Sequence, residues 1–258
     1  MCGIGAFQLI NGEANGKSVA QALLRSLVSR GRDASGCAWH DNNTGETFIQ
    51  KLNMAGDKFA TELDDEVGSV GIVHTRWATQ GDPRNNNNNH PIDVRGLVGV
   101  HNGHISNDKQ LLADLPDYER FGSVDSEAAF AHIAHGDKQR KMVQRLGDIR
   151  GTAALLWLRS NDKRKRLYAA RVTSSPLWIA QTDAGSVVLA STPATLEFVH
   201  KQTKLPFTFL YEMKEKEFMI IENGVITEMA TIPNNGFGLQ PTKTDMPSYS
   251  QTSMFETK

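Results

Sequence analysis

The order of the predicted elements is the feature that most constrains the fold of this chain. Strands are predicted at residues 2–10 and 70–75, and a helix between them at residues 17–29, from the spacing of the apolar residues. Helices then cluster within residues 108–146, and residues 153–229 are rich in strands. Because strands and helices occur in segregated runs, the pattern favours an α+β domain or a layered αββα arrangement over alternating βαβ units.

Composition excludes several classes of protein. The 258 residues include 28 basic and 29 acidic ones, so no basic excess predicts a nucleic-acid or anionic-membrane partner. No apolar run of about 18 residues predicts a membrane-spanning helix, and residues 1–10 lack the features of a secretion signal. We therefore expect a cytoplasmic protein whose two cysteines, Cys2 and Cys37, remain thiols.

A change of composition near residue 232 predicts the domain boundary. Beyond it the chain is rich in Pro, Asn, Thr, Ser and Met without periodicity. We interpret residues 2–232 as one domain and residues 233–258 as a mobile C-terminal tail.

Cys2 suggests a nucleophile. Loss of Met1 would leave Cys2 with both a thiol and a free α-amine. The unperturbed pKa of such an amine is near ~7.7–8.0, so a neutral fraction could take the proton of the thiol. A cysteine at position 2 can also occur by chance, and the other motifs have to decide.

Five motifs occur in a defined order. They read Cys-Gly-Ile-Gly at residues 2–5, Arg-Gly-Arg-Asp-Ala-Ser-Gly at 30–36, Gly-Ile-Val-His-Thr-Arg-Trp-Ala-Thr at 71–79, His-Asn-Gly at 101–103 and Asp-Ser-Glu at 125–127. Together the chain resembles the class II glutamine amidotransferases, which are N-terminal-nucleophile hydrolases. It is most similar to the glutaminase domain of glucosamine-6-phosphate synthase, over residues 2–230. The resemblance implies a four-layer αββα sandwich.

The reaction implied by this resemblance is hydrolysis of L-glutamine to L-glutamate and ammonia through a thioester on Cys2, without a cofactor. Such a reaction also needs donors that stabilise an oxyanion. We predict the side-chain amide of Asn102 and the backbone N–H of Gly103, which we place at a strand end. The alternative interpretation is that Asn102-Gly103 forms a type I′ turn.

Arg76 and Asp125 have charges that suit the carboxylate and the ammonium of a free amino acid, and the resemblance implies these roles. The alternatives are a surface ion pair for Arg76 and a helix N-cap for Asp125.

Four further residues are assigned by the resemblance. Trp77 would cover the bound glutamine, unless it is a core aromatic residue, and Thr79 would contact the substrate, unless its hydroxyl only bonds within the loop. Gln80 stands where the family pattern usually has histidine, although it retains donor and acceptor capacity. Arg30 would hold the N-terminal segment in place.

The remaining polar motifs are interpreted as structural. Residues 85–89 are five consecutive asparagines, which read as a solvated loop, and residues 88–91 resemble the Asn-x-His-Pro segment of the family. The basic residues 163–166 read as a hairpin tip. His74, His101 and His104 lack the spacing of a ligand set, so no metal is predicted.

Family members pass ammonia to a synthase domain in the same chain. Because the sequence shows no such segment after residue 232, we expect either a separate acceptor protein or a free-standing glutaminase. Two other functions remain open. An N-terminal-nucleophile amidase for a different amide is disfavoured by the pair Arg76 and Asp125. A non-catalytic interaction or ligand-sensing module with the same fold is disfavoured by Cys2 with Asn102 and Gly103.

Overall fold

The structure is a computed structural model that describes residues 1–136 and 139–235. Within them, seven strands form sheet A, in the spatial order β11 (Phe207–Glu212), β9 (Trp178–Thr182), β10 (Val187–Ala190), β1 (Gly3–Gln8), β4 (Val70–Arg76), β2 (Ala34–His40) and β3 (Thr47–Leu52). Six strands form sheet B, in the order β13 (Val225–Thr231), β12 (Glu217–Glu222), β8 (Leu167–Thr173), β7 (Gly151–Arg159), β6 (Leu97–Ile105) and β5 (Ile92–Val94).

The described helices lie on the outer faces of the two sheets. Sheet A carries α1 (Gly16–Leu27), α2 (Gly56–Glu62) and α6 (Pro193–Thr203), and sheet B carries α3 (Asp108–Ala113), α4 (Asp125–Ala134) and α5 (Gln139–Leu146). Each sheet therefore has one face against helices and the other face against its partner sheet. The predicted four-layer αββα sandwich is confirmed.

Strand alternation divides the apolar core into three layers. On β1, Phe7 packs with α1, whereas Ile4 and Ala6 face sheet B. The layer between the sheets includes Ile4, Ala6, Ile72, Val98, Val100, Ala154 and Leu156. A second layer joins α4 and α5 to sheet B, through residues such as Phe130, Leu146 and Trp157. The inter-sheet layer matters most for function. Side chains further along the same strand faces also lie between the two sheets.

The placement of Asn102 and Gly103 at a strand end is wrong. Strand β6 continues to Ile105 and pairs with β7, with Asn102 opposite Ala154 and Gly103 opposite Ala153. The type I′ turn is wrong for the same reason, because strand pairing overrides the local turn preference of the dipeptide. Gly103 has a φ of 145°, and a Cβ there would lie 1.9 Å from the Thr152 carbonyl oxygen, so this position requires glycine.

The sequence pattern missed three elements: α2, β5 and β11. Helix α2 has seven residues and β5 has three, which is too short for a clear periodic signal. Strand β11 is an edge strand of sheet A in which three of six residues are half-buried and two are exposed, so its alternation is weak.

The end of the described chain bears on the predicted tail. Asn235 donates hydrogen bonds from Nδ2 to the Gln144 carbonyl and to Asp148 Oδ1, both at 2.7 Å. The rest of the predicted tail, residues 236–258, lies outside the described residues, and the domain boundary stays a prediction. Within the described ranges, no helix is long and apolar enough to cross a membrane.

Candidate active site

Cys2 lies at the end of sheet A, immediately before β1. Gly3 pairs with Thr75 of β4, so Cys2 is next to Arg76 in the register, and it continues the row of Ile4 that faces sheet B. The Cys2 Sγ lies 3.6 Å from the Trp77 carbonyl oxygen. Arg30 donates from Nε to the Cys2 carbonyl oxygen at 2.9 Å and so ties this segment to the chain after α1.

The electrostatic surroundings of Cys2 keep its thiol protonated. Burial raises the pKa of the Cys2 thiol, and Asp125 acts in the same direction, whereas a backbone hydrogen bond at Trp77, the ammonium of Met1 and Arg76 act against it. The thiol therefore needs a base before it can attack. Arg76 is therefore the neighbour of Cys2 on sheet A, and the carboxylate of Asp125 acts on the thiol from the side of sheet B.

Asn102 is a buried amide without a partner. It continues the row of Val98 and Val100 on the inter-sheet face of β6. Its side chain is 0 % exposed, and neither Oδ1 nor Nδ2 has a hydrogen-bond partner among the described residues. A buried polar group left unpaired costs about 1–3 kcal/mol, and such groups in native proteins call for an explanation. The amide is available to a ligand between the sheets.

Arg76 ends β4 and is 3 % exposed. Its NH1 donates to Asn89 Oδ1 at 2.7 Å, and its NH2 donates to the carbonyl oxygens of Gln80 at 2.5 Å and Gly81 at 2.8 Å. All three acceptors are neutral, and no described carboxylate lies within 4.0 Å of the guanidinium. The surface ion pair considered for Arg76 is therefore wrong, and the guanidinium can pair with an anionic ligand.

Asp125 is the first residue of α4, and Val124 holds the N-cap position. Its Oδ2 accepts from the Ile105 N–H at 2.7 Å, and the Ser126 hydroxyl donates to its Oδ1 at 3.2 Å. The N-cap interpretation is wrong, because the carboxylate bonds to β6 instead of capping the helix. Among the described residues, no lysine or arginine pairs with it. The nearest described basic nitrogens are histidine Nδ1 atoms, at 3.7 and 3.9 Å.

His101 is connected to Asp125 through the hydroxyl of Ser126. Its Nδ1 lies 2.9 Å from the Ser126 hydroxyl, which contacts Asp125 in turn. Burial lowers the pKa of His101, so this ring is neutral near pH 7 and does not cancel the charge of the carboxylate. The motifs at 101–103 and 125–127 thus meet in one network.

The loop after β4 forms the rim of the site. Trp77 is 55 % exposed, so its interpretation as a core aromatic residue is wrong. Thr79 is exposed, and Gln80 is half-buried and contributes its backbone carbonyl to Arg76. Asp33 fixes the loop, since its Oδ2 accepts from the Ala78 N–H at 2.7 Å and its N–H donates to the Arg76 carbonyl at 3.0 Å.

The asparagine run, residues 85–89, is not simply a solvated loop. Asn85 to Asn87 are exposed, but Asn88 and Asn89 are 2 % and 0 % exposed. The burial of Asn88 and Asn89 agrees with the structural interpretation of residues 88–91, but sequence analysis did not predict their contacts or those of Asp33 and Ser126. Asp33 and Ser126 stood inside quoted motifs, but only the fold shows what they touch. Within the described residues, no three His, Cys, Asp or Glu side chains are grouped to hold a metal ion.

Comparison with known proteins identifies relatives of this chain. Residues 74–197 match the glutamine amidotransferase domain family. The chain is 31 % identical to a glutamine–fructose-6-phosphate aminotransferase (isomerizing) of Photorhabdus laumondii, over 89 % of this chain and 35 % of the relative. It is 30 % identical to the protein of that name from Staphylococcus epidermidis, over 80 % of this chain and 34 % of the relative. The chain spans about a third of the length of these relatives.

Solved structures show the same fold. The chain superposes with a TM-score of 0.74 on glutamine phosphoribosylpyrophosphate amidotransferase from B. subtilis, complexed with ADP and GMP, at 21 % identity over 91 % of this chain and 50 % of that one. A second structure, described as the allosteric regulatory enzyme of purine biosynthesis, gives a TM-score of 0.73 at 21 % identity. The resemblance found in the motifs is confirmed.

Proposed function

Residues 74–197 belong to the glutamine amidotransferase domain family, and we propose that the chain hydrolyses L-glutamine to L-glutamate and ammonia. The observation that carries this proposal is the pair of unmatched opposite charges, Arg76 and Asp125, that flank Cys2. A free amino acid is a zwitterion, and its two charges match the two that the site leaves without fixed-charge partners. Simple amides and acyl amides lack this pair of charges, which disfavours the other amidase class.

The nucleophile in this proposal is the thiol of Cys2, and its own α-amine is the base. Removal of Met1 converts the peptide nitrogen of Cys2 into that amine. The amine takes the thiol proton as Sγ attacks the carboxamide carbon, and it returns the proton to the leaving nitrogen as ammonia departs. A water molecule then hydrolyses the thioester and releases glutamate. Burial, which raises the pKa of the thiol while Met1 is in place, supports the need for such a base.

Asn102 and Gly103 would stabilise the oxyanion in both steps. The Asn102 amide is buried and has no partner in the described part of the chain, so its N–H can donate to a developing negative charge without first breaking another bond. Gly103 lets its backbone come close to a ligand because it carries no side chain.

The other assigned residues would hold the substrate. Arg76 would bind the α-carboxylate and Asp125 the α-ammonium, while Trp77 on the exposed rim would cover the bound amino acid. Thr79 and Gln80 lie on the same rim and would contact it. Arg30 would keep Cys2 in place through its carbonyl contact. This chemistry requires no cofactor.

The ammonia would pass to an acceptor bound by a separate partner protein, in the cytoplasm. The names of the relatives, glutamine–fructose-6-phosphate aminotransferases, support transfer to a second substrate. The alternative is a free-standing glutaminase. Glutamine labelled with ¹⁵N in its amide distinguishes the two, because a partner would divert the label from free ammonia into a product.

The decisive experiment measures ammonia release from L-glutamine by protein whose intact mass shows loss of Met1. We expect turnover by this form and none by a form that retains Met1. Full activity with Met1 in place would refute the amine as base. Equal rates with simple amides would favour the other amidase class, and binding of glutamine without turnover would favour the sensing module.

A further inference from the structure

The asparagine run connects the two charged ends of the site. Asn86 donates from Nδ2 to the Lys51 carbonyl at 3.2 Å, and Asn87 donates to the Phe121 carbonyl at 3.4 Å. Asn88 and Asn89 are buried and make shorter contacts with the segments that carry Asp125 and Arg76. Five identical residues in sequence thus occupy different environments.

Asn89 orients the guanidinium of Arg76. Its Nδ2 donates to the Pro83 carbonyl at 2.7 Å and to Asn86 Oδ1 at 3.1 Å, so Oδ1 must face Arg76 NH1, at 2.7 Å. The backbone of Asn89 is also held, because Lys51 Nζ donates to its carbonyl oxygen at 2.8 Å. Arg76 therefore donates to a neutral acceptor of fixed orientation, and the guanidinium keeps its charge.

Asn88 joins the loop after Arg76 to the segment before Asp125. Its Nδ2 donates to the Asp82 carbonyl at 3.1 Å, and its Oδ1 accepts from the N–H of Ser123 at 2.8 Å and from the Ser123 hydroxyl at 3.2 Å. Ser123 precedes Asp125 by two residues. One side chain thus spans the two segments that carry the opposite charges.

We propose that Asn88 and Asn89 are positioning residues that set the orientation and spacing of Arg76 and Asp125 for an α-amino acid. Asn89 governs recognition of the carboxylate, and Asn88 governs recognition of the ammonium. This inference rests on the proposed function, since it assigns amino-acid binding to the same site. It goes beyond that function in giving the asparagine run a part in specificity.

Two truncated substrates separate the two ends of the site. Glutaramic acid keeps the carboxamide and the carboxylate of glutamine but lacks the ammonium, whereas 4-aminobutanamide keeps the carboxamide and the ammonium but lacks the carboxylate. For each variant, kcat/KM is measured with glutamine and with both analogues. A purely structural effect would lower all three values together.

The variant Asn89→Asp is nearly isosteric and places a negative charge against Arg76. We expect KM for glutamine to rise about 10- to 100-fold, because a charged hydrogen bond to the substrate is lost, with kcat nearly unchanged. The value of kcat/KM for glutaramic acid should fall by a similar factor. The value for 4-aminobutanamide should change by less than about threefold, since that molecule has no carboxylate.

The variant Asn88→Ala should show the converse pattern. We expect kcat/KM to fall about 5- to 10-fold for glutamine and 4-aminobutanamide, the scale of a lost hydrogen bond, with little change for glutaramic acid. Asn87→Ala is the matched control from the same run. It removes an exposed side chain with one long contact, so all three substrates should keep wild-type values.

A binding measurement makes the test independent of turnover. Calorimetry of L-glutamate with Cys2→Ala protein should show affinity that Asn89→Asp weakens at least tenfold and that Asn87→Ala leaves unchanged. If turnover is absent but this pattern holds, the proposed function is wrong and the positioning role stands. If L-glutamate does not bind, or if Asn89→Asp binds it as tightly as the parent, the positioning role is overturned. An equal loss with all three substrates would overturn it as well.

Discussion

Sheet A and sheet B hold opposite charges at the same end of the molecule, and they hold them by different means. Arg76 leaves the end of β4 and is held by loop carbonyls and one side-chain amide. Asp125 begins α4 and is held by a backbone N–H of β6 and a hydroxyl of its own helix. The cation depends on a long loop, whereas the anion depends on regular structure. In neither case does a fixed opposite charge within 4.0 Å neutralise the group among the described residues.

The seam between the sheets, formed by His74, His90 and His101, contains uncharged rings instead. His74 of β4 donates from Nε2 to the His101 carbonyl of β6 at 3.1 Å, and its ring stacks on His90 with centroids 4.2 Å apart. Burial lowers the pKa of His74 to about 3, so the ring is neutral at physiological pH. The buried histidine rings near the site are therefore uncharged, whereas the groups that would contact the substrate are charged.

The largest expected effect is that of replacing Cys2, the proposed nucleophile at the end of sheet A. Cys2→Ala should reduce glutamine turnover by at least about 10⁴-fold, because no other group supplies the covalent step. Ammonia release by protein lacking Met1 is the measurement. Cys37→Ala is the control, since Cys37 is buried among apolar residues on the other face of sheet A. Equal loss in both variants would contradict a special part for Cys2.

On sheet B, the residue proposed to act in the same reaction is Asn102, as an oxyanion donor. Asn102→Ala should cost on the order of 10²–10³ in turnover, as expected for loss of one oxyanion donor. Alkylation of Cys2 by iodoacetamide builds no tetrahedral oxyanion and should keep its rate, whereas labelling by the glutamine-shaped reagent 6-diazo-5-oxo-norleucine should slow. Unchanged turnover would move the search for oxyanion donors to the backbone of residues 77–80.

The comparison between the two charges is tested directly by Arg76→Ala and Asp125→Ala. Each should lower kcat/KM for glutamine about 10- to 150-fold, the scale of a hydrogen bond to a charged group. The loss in Arg76→Ala should disappear with 4-aminobutanamide, and the loss in Asp125→Ala should disappear with glutaramic acid. Losses that do not depend on the analogue would show that the two residues serve the fold and not recognition.

The smallest expected effect concerns the neutral seam. The pKa of His74 is about 3 in the folded protein and near ~6.5 in the unfolded chain. Above pH 6.5 both states are neutral at this ring. Below it the unfolded chain takes up a proton that the folded protein excludes, so stability falls by about 2 kcal/mol on going to pH 5.

Urea unfolding at pH 8 and pH 5 measures this change. His74→Gln retains a donor and removes the titration, so its free energy of unfolding should depend less on pH than that of the wild type. An equal pH dependence in both proteins would show that His74 is not buried as a neutral ring.

The motifs named candidate site residues that the fold brings close together, but they did not predict the contacts that hold those residues in place. Asn102 and Gly103 were identified as a pair, yet their position inside β6 could not be read from a dipeptide that favours turns, since pairing with β7 decides it. The asparagine run looked like solvated loop because composition does not distinguish an exposed amide from a buried one. Two of the missed elements, β5 and β11, lie at sheet edges, where the hydrophobic pattern is weak.

What the sequence by itself determined is the class of fold and the groups able to carry the chemistry, because periodicity and residue type are local properties. The four layers were implied by the family resemblance. Tertiary structure decided which of these groups meet. Cys2 and Arg76 are neighbours only through the register of β1 and β4, and Asn102 faces them only because β6 packs across the inter-sheet layer. Asn89 reaches Arg76, and Asn88 reaches the segment before Asp125, only because of the way the loop that contains them folds. The physical reason is that strand pairing and hydrogen-bond satisfaction act between residues far apart in the chain.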